Sequence, residues 1–160
     1  MNEPDRVREA LETAETVAVI GCSPDPSRAS HTIARYLQAQ GYRVVPVNPE
    51  HRELLGERCY PSLSEIPKEI RIDVADVFRR SEHVAGIARE AIARGVPFVF
   101  LQKGVIDEAS ARRLEQAGIG VAMDRCILVE HERLGIPPKL RNATPEDGVS
   151  SLSQKSGTKL

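Results

Sequence analysis

The chain has 160 residues, of which 41% are hydrophobic and 28% charged, a composition typical of one soluble globular domain. Its 22 Lys and Arg residues against 23 Asp and Glu residues give a formal net charge of −1. Proteins that bind nucleic acid or anionic membranes usually carry a basic excess, so we expect neither as a main partner. An anionic ligand must then be held by a few local groups.

The sequence also predicts a cytoplasmic protein without structural metal. It has no apolar run near the length of a membrane span and no signal-peptide layout at its start. The cysteines, Cys22, Cys59 and Cys126, are odd in number and lack a C-x-x-C motif, and the histidines show no metal-ligand spacing. We therefore expect neither a disulfide framework nor a zinc site.

The first elements in chain order are a strand, a helix and a second strand. The run TVAVIG predicts a strand over 16–21, and RVVPV predicts another over 43–47. Between them, apolar residues at helical spacing predict a helix that begins near Ser30 and ends at Gly41.

The middle of the chain adds a turn, a strand and a helix. The motif SLSE at 62–65 is a capping box, and IDVADVF predicts a strand over 72–78. Apolar spacings of three and four predict a helix from Ser81 to Arg94, with Ser81 capping its start and Gly95 its end.

The last predicted elements are strands over 97–102 and 119–123, with a helix over about 107–118 between them. The remaining sequence is polar and rich in Ser, Pro and Gly, and it cannot bury a core. We therefore expect one domain over 1–137 and a disordered tail over 138–160.

Strands that alternate with helices predict an α/β fold, a three-layer, doubly wound parallel sheet of the Rossmann type. We expect five strands in the order 3-2-1-4-5. Ligands bind such sheets at the carboxyl ends of the strands, where the strand order reverses, here between the first and the fourth strand. Four loops would build the site: GCSPDPSR, NPEHR, RRSEH and QKG.

The loop after the first strand predicts an anion site. The positive end of the helix that follows favours a phosphate, and Ser23, Ser27 and Arg28 can donate to phosphate oxygens. Only Gly21 is a glycine, whereas the dinucleotide fingerprint G-x-G-x-x-G has three. Cys22 is a candidate thiolate, because a helix N-terminus lowers the pKa of a nearby thiol. The alternative is a turn that Ser and Pro merely shape.

The next two loops bear on the class of nucleotide. NAD binding needs an acidic residue at the end of the second strand, where this chain has Asn48 and Pro49. Arg52 nearby would suit NADP, so NAD is disfavoured and NADP stays open. In the third loop, Phe78 and Arg79 together can sandwich an adenine and pair with a phosphate. The alternative is that Phe78 ends a core strand and the arginine is solvated.

Five segments of the sequence carry a resemblance to a known family: VAVIGCSPDPSRASH, YRVVPVNP, DVADVFR, FLQKGV and DRCILVEHERL. In this order and spacing, they resemble the stand-alone CoA-binding domain proteins of bacteria. These proteins are relatives of the N-terminal domain of the succinyl-CoA synthetase alpha subunit. The resemblance covers about residues 7–134. It implies a Rossmann-like fold in which the ADP part of coenzyme A lies across the strand ends.

The resemblance also implies the residues that contact the cofactor. The ligase relatives have a glycine and a ligand-binding lysine where this chain has Glu50, His51 and Arg52, which makes Arg52 the candidate for that contact. The implied cofactor-binding residues are Gly21, Cys22, Ser23, Ser27 and Arg28 in the first loop at the phosphates, Asn48 and Pro49 beside the ribose, Phe78 and Arg79 on the adenine side, Gln102 and Gly104 beside the diphosphate, and Arg52, which like Arg79 is a candidate for the 3′-phosphate.

We therefore expect a CoA-binding protein with a non-catalytic or regulatory role. No complete set of nucleophile, base and orienting group falls at the strand ends. The ligase relatives also need a second domain and a partner subunit, so ligase activity is not expected. Two alternatives stay open: an NADP- or other nucleotide-dependent enzyme, and a protein-interaction module with a vestigial nucleotide site.

The segment DRCILVEH allows two interpretations. Cys126 is either a reactive thiol near the pantetheine arm or a small buried residue. Asp124, Arg125, Glu130 and His131 form either an ion-pair and hydrogen-bond cluster that closes the sheet or a surface for a protein partner.

Overall fold

The computed structural model describes residues 2–140, and five of its strands correspond to the predicted ones. Helices α1 and α5 and the β3–β4 hairpin are additional to the predicted elements. The helices are α1 (Glu3–Thr13), α2 (Ala29–Ala39), α3 (Val84–Arg94), α4 (Glu108–Gln116) and α5 (Ile127–Arg133). The strands are β1 (Thr16–Ile20), β2 (Arg43–Val47), β3 (Glu53–Leu54), β4 (Glu57–Arg58), β5 (Val74–Val77), β6 (Phe98–Leu101) and β7 (Gly120–Met123).

The main sheet is parallel and has the order β2-β1-β5-β6-β7, which confirms the doubly wound α/β fold. The expected order 3-2-1-4-5 is wrong, because the third predicted strand, β5, lies beside β1 and not outside β2. Ile20 at the end of β1 is in register with Val77 at the end of β5. The strand order therefore reverses between β1 and β5.

The connection from β2 to β5 crosses the sheet without an α-helix. Residues 48–73 contain the β3–β4 hairpin and a 3-10 turn over Leu63–Glu65. Its apolar residues, such as Ile66, pack on the same face of the sheet as α3. Arg94 at the end of α3 holds the segment by donating hydrogen bonds to four backbone carbonyls. These carbonyls belong to Leu63, Ile66, Pro67 and Ile70.

The sheet buries an apolar layer on each face. Helices α1, α2 and α5 cover one face, here called the α2 face, where Val19 and Phe100 lie in the core. Helices α3 and α4 cover the opposite α3 face, where Ala18 and Leu101 lie in the core. Every residue of β1 is buried, as expected for a strand that is covered on both sides.

Two of the predicted helix caps are wrong. The Oγ of Ser81 accepts a hydrogen bond from Ile106 N at 3.0 Å, so Ser81 links two loops and caps no helix. Ser62 makes no side-chain cap, and its hydroxyl donates to the Glu65 carboxylate at 3.3 Å. Gly95 ends α3 as predicted, with a φ of +72°.

The segment after α5 stays attached to the domain as far as Lys139. The N–H of Lys139 donates to Gln40 O at 2.7 Å, and its ammonium donates to Glu12 O at 2.6 Å. These contacts continue past the predicted boundary at residue 137. The predicted tail from residue 141 onward lies outside the described residues. None of the helices within residues 2–140 is long and apolar enough to cross a membrane.

The outer edge of β2 is paired with the segment that follows β4. Tyr60 donates its N–H to Pro46 O at 3.1 Å, and Tyr60 O accepts from Asn48 N at 2.9 Å. Pro46 has no N–H, so this edge offers one donor fewer than an ordinary strand. At the opposite edge of the sheet, β7 pairs with β6.

Candidate functional site

A crevice opens at the carboxyl edge of the sheet, between β1 and β5. The first loop (residues 21–28) leads from β1 to α2 on one face, and the third loop (78–80) leads from β5 toward α3 on the opposite face. The second loop (48–52) and the fourth loop (102–107) flank them. Ligands of doubly wound sheets bind where neighbouring loops diverge in this way.

Gly21 is a point of close contact between the first and third loops. Its φ is +86°, in the left-handed region. A Cβ at this position would lie 3.0 Å from Arg79 Cδ and 3.1 Å from Phe78 O. Both the backbone conformation and the neighbouring loop therefore require glycine here.

Hydrogen bonds join the first and second loops into one unit. The N–H groups of Gly21 and Cys22 both donate to Val47 O, at 2.9 and 3.2 Å. The side chain of Asn48 extends this link, because its Nδ2 donates to Cys22 O at 2.9 Å and its Oδ1 accepts from Glu50 N at 2.9 Å. Asn48 therefore positions the first loop, whatever contact it makes with a ligand.

Helix α2 begins without a side-chain cap. Arg28 is the N-cap residue, is exposed, and makes no capping hydrogen bond, and the first turn has no acidic residue. Ser30 Oγ instead accepts from Ser23 N at 3.0 Å, and His31 Nδ1 lies 2.9 Å from Ser23 O. The N–H groups of Arg28 and His31 donate to backbone carbonyls, so those of Ala29 and Ser30 are the ones at this helix end available to an anion, which the helix dipole also favours.

Asp25 places a negative charge in the first loop that the sequence analysis missed. Its Oδ1 accepts hydrogen bonds from Ser27 N at 2.9 Å and from Ser27 Oγ at 2.8 Å. These two bonds, with smaller contributions from Arg28 and His31, lower the pKa of Asp25. The hydroxyl of Ser27, a predicted phosphate donor, is therefore already bound to a carboxylate.

The prediction of a thiolate at Cys22 is wrong. The side chain is fully buried in the core on the α2 face. Burial first, and then the nearby Cys59 and Asp76, raises the pKa of the Cys22 thiol to about 12. The thiol stays protonated at neutral pH, and Cys22 can reach a ligand in the crevice only through its backbone.

A small cleft of about 190 Å³ lies beside Gly21 on the α3 face. It brings together Gly21, Pro49 and Arg79, which the sequence predicted on three different loops. His83, from the 3-10 turn that precedes α3, also lines it, as do the polar residues Ser62 and Glu90, and none of these three was predicted as a site residue. The apolar side chains of this cleft can contact an aromatic base, and Arg79 and His83 can contact a phosphate attached to it. Its apolar lining consists of Ile20, Val47, Pro49, Pro61, Leu63 and Ile87.

Phe78 and Arg79 lie on opposite faces of the sheet. Phe78 is half-buried and packs against the core on the α2 face. Cys126, a free cysteine, is also half-buried against this core. Arg79 lines the cleft on the α3 face. The two side chains therefore do not sandwich one adenine, as the sequence analysis expected. Arg52 is exposed and is not among the residues that line the cleft.

Gln102, the first residue of the fourth loop, is tied to the buried Asp76 of β5. Gln102 Nε2 donates to Asp76 Oδ1 at 2.8 Å, while Asp76 Oδ2 has no hydrogen-bond partner among the described residues. Burial raises the pKa of Asp76 well above its usual range, although the bond from Gln102 opposes this shift. Further along the loop, Gly104 donates its N–H to Asp124 Oδ1 at 2.7 Å.

The segment DRCILVEH makes contacts that hold the fold together. Arg125 forms ion pairs with Glu3 of α1 at 2.9 Å and with Glu130 of α5 at 3.3 Å. His131 is buried, and its Nδ1 lies 2.7 Å from the hydroxyl of Tyr36 on α2. These contacts support the interpretation of the segment as a cluster that closes the sheet.

These features define a doubly wound α/β protein, with a crevice where the strand order reverses, an uncapped helix and a partly apolar cleft. Within residues 2–140, no group of three or more His, Cys, Asp or Glu side chains could hold a metal ion. Residues 15–132 match the family described as CoA binding domain, and the chain belongs to this family. The resemblance stated from the sequence is thereby confirmed.

The relatives include small proteins and one domain of much larger enzymes. YneT of Bacillus subtilis, an uncharacterized protein, is 38% identical over 133 residues, which are 82% of this chain and 97% of YneT. The ADP-forming acetate–CoA ligase I of Archaeoglobus fulgidus is 27% identical over 159 residues, which are 93% of this chain but 23% of the ligase.

Two solved structures of small proteins share the fold. Cell-free ID.343 from Thermus thermophilus is 41% identical, with a TM-score of 0.78, over 84% of this chain and 99% of that protein. A hypothetical protein from Pyrococcus horikoshii OT3 is 34% identical, with a TM-score of 0.78, over 82% of this chain and 91% of that protein.

Proposed function

We propose that this protein binds coenzyme A in the crevice, with the ADP moiety across Gly21, and that its role is non-catalytic. One observation carries the proposal: the first loop lines the cleft of Arg79 and His83 with Gly21 and, two residues later, contacts the uncapped start of α2, where Ser23 N donates to Ser30 Oγ at 3.0 Å. Membership of the CoA binding domain family supports the choice of ligand. In this arrangement the diphosphate lies at α2 and the adenine in the cleft.

The diphosphate takes its hydrogen bonds from the first turn of α2 and from Arg28. A hydrogen bond that involves a charged group contributes about 1.5–3 kcal/mol. Because the chain has a net charge of −1, such local contacts must supply the electrostatic part of the affinity. Two or three of them account for much of the roughly 8 kcal/mol of a micromolar complex.

The adenine enters the cleft on the α3 face, where apolar side chains such as Leu63 and Ile87 contact the base. Arg79 and His83 are the groups in the same cleft that can meet the 3′-phosphate. The pantetheine arm leaves in the opposite direction, over Phe78 on the α2 face. The two phosphate positions of CoA thus lie on either side of Gly21.

The side chains of the crevice support a binding role. Among the described residues, no Ser or Cys side chain of the four loops is hydrogen-bonded to a histidine, and the buried thiol of Cys22 is protonated. The acetate–CoA ligase of Archaeoglobus fulgidus aligns with this chain over 23% of its length. The activity of that whole enzyme is therefore not assigned to this protein.

Titration calorimetry with CoA and with dephospho-CoA tests the proposal. Arg79→Ala should weaken CoA binding roughly ten- to hundredfold and leave dephospho-CoA binding nearly unchanged, because it removes a charged contact to the 3′-phosphate. Arg80→Ala is the matched control, since Arg80 is the exposed neighbour that pairs with Glu82 at 3.8 Å. It should bind both ligands as the wild type does.

Native mass spectrometry of the purified protein gives an independent test of the ligand. We expect CoA or an acyl-CoA to co-purify. Recovery of NADP without CoA would replace the proposal with the alternative of an NADP-dependent enzyme. Equal loss of affinity in the Arg79 and Arg80 variants would show that the cleft does not hold the 3′-phosphate.

A further inference from the structure

Asp25 lies in the part of the first loop to which the proposed function assigns the diphosphate. Its carboxylate accepts hydrogen bonds from both donors of Ser27, the backbone N–H at 2.9 Å and the hydroxyl at 2.8 Å. The backbone of Asp25 is also engaged, because its N–H donates to Ser23 Oγ at 3.1 Å and its carbonyl accepts from Arg28 N at 3.0 Å. One acidic residue thus holds the shape of the whole loop.

The Asp25 side chain is exposed and acts on an approaching anion in two ways. Its negative charge repels a phosphate, and its oxygen keeps the Ser27 donors from that phosphate. The positive group beside Asp25 is Arg28, the N-cap residue of α2. An anion at this helix therefore competes with Asp25 for the same positive charge and for the donors of Ser27.

We propose that Asp25 is a specificity-determining residue, whose carboxylate takes the place of an anion in the first loop and thereby excludes free phosphate. This inference rests on the proposed function. CoA overcomes the competition because its adenine end binds separately in the cleft lined by Arg79 and His83. A small inorganic anion has no such second contact, so it cannot displace the carboxylate. Asp25 also makes CoA binding weaker than the remaining contacts would allow.

The variant Asp25→Asn separates charge from shape. The amide oxygen of Asn accepts the same two hydrogen bonds from Ser27, so the loop keeps its conformation while the charge is lost. Like charges a few ångström apart repel one another, and more strongly near a protein surface than in bulk water. We therefore expect CoA to bind about tenfold more tightly to Asp25→Asn than to the wild type.

The experiment uses the full chain, with Glu108→Gln as a matched control. Glu108 is an exposed acid in the first turn of α4, and its replacement removes one negative charge without touching the first loop. Titration calorimetry with CoA should show the gain for Asp25→Asn and less than about a twofold change for Glu108→Gln. In thermal unfolding, inorganic phosphate at millimolar concentration should stabilise Asp25→Asn and leave the wild type unchanged.

A second variant, Asp25→Ala, removes both the charge and the acceptor of the Ser27 hydrogen bonds, so it shows whether the result depends on the loop shape that Asn retains. It frees both donors of Ser27, so phosphate should stabilise this variant as well. Equal or weaker CoA binding by Asp25→Asn, with no response of either variant to phosphate, would overturn the inference. If the wild type does not bind CoA, the proposed function fails, and the phosphate response then decides the role of Asp25 on its own.

Discussion

Replacing Asp76 by Asn removes a titratable group from the middle of the sheet and keeps its shape. The carboxyl is fully buried in β5, and Gln102 is its one hydrogen-bond partner among the described residues. An Asn side chain accepts the same hydrogen bond from Gln102. It also places an amide N–H without a partner where Oδ2 lies, at a cost of about 1–3 kcal/mol that does not depend on pH.

The pH dependence of this substitution has a definite sign. Unfolded Asp76 ionises near pH 3.9, at about the ordinary pKa of Asp. The folded carboxyl has a raised pKa and stays protonated to higher pH, so wild-type stability is lost as the pH rises through this range. Each pH unit costs about 1.4 kcal/mol. As the pH rises from 4.5 to 6.5, Asp76→Asn should therefore gain free energy of unfolding relative to the wild type, by up to about 1.4 kcal/mol for each pH unit in which the folded carboxyl stays protonated.

Urea unfolding of both proteins at pH 4.5, 5.5 and 6.5 measures this difference. His131 contributes a slope of the opposite sign, because burial lowers the pKa of its folded form and stability is lost as the pH falls below about 6.5. That contribution is common to both proteins and cancels in the difference. A difference that stays constant to within about 0.5 kcal/mol would show that Asp76 is ionised in the folded protein and would refute the reasoning.

Three further changes test the site and the end of the domain. Arg28→Ala should weaken CoA and dephospho-CoA equally, by roughly ten- to hundredfold, because both carry the diphosphate; calorimetry that found a preference would contradict this. Gly21→Ala should lower the free energy of unfolding by more than about 1 kcal/mol, since alanine is strained at a φ of +86°, and an unchanged urea midpoint would argue against it. Truncation after Leu140 should leave the Tm within about a degree, whereas truncation after Pro137 removes the contacts of Lys139 and should lower it by several degrees in a thermal scan.

The positions of the five strands of the main sheet could be predicted, because most of them are short runs of buried, largely apolar residues that stop at a polar loop. The order of the strands could not. It depends on where residues 48–73 cross the sheet, and this segment is held by long-range contacts such as those of Arg94 with backbone carbonyls. Helix α1 buries Val7 and Leu11 in an otherwise polar sequence, so its apolar face is too narrow to stand out.

Part of the site could also be predicted from the sequence. The four loops could be placed together because parallel strands put their carboxyl ends at one edge of the sheet. The separation of Phe78 from Arg79 was also predictable, because consecutive residues of an extended chain point to opposite faces. The burial of Cys22 was not, since it follows from the left-handed turn at Gly21. Asp25 was not predicted as a site residue, because its role depends on a hydrogen-bonded turn rather than on a sequence motif.

The pairing of Tyr60 with Pro46 has a consequence for self-association. A sheet edge with free donors and acceptors can recruit the strand of another molecule, and at β2 this edge is already occupied. The opposite edge is β7, a strand of four residues that begins with Gly120. A Cβ on Gly120 would lie 2.5 Å from Phe98 Cδ2, so the core prevents a β-branched residue at that position. The interior packing thus keeps the more open edge a poor template for aggregation.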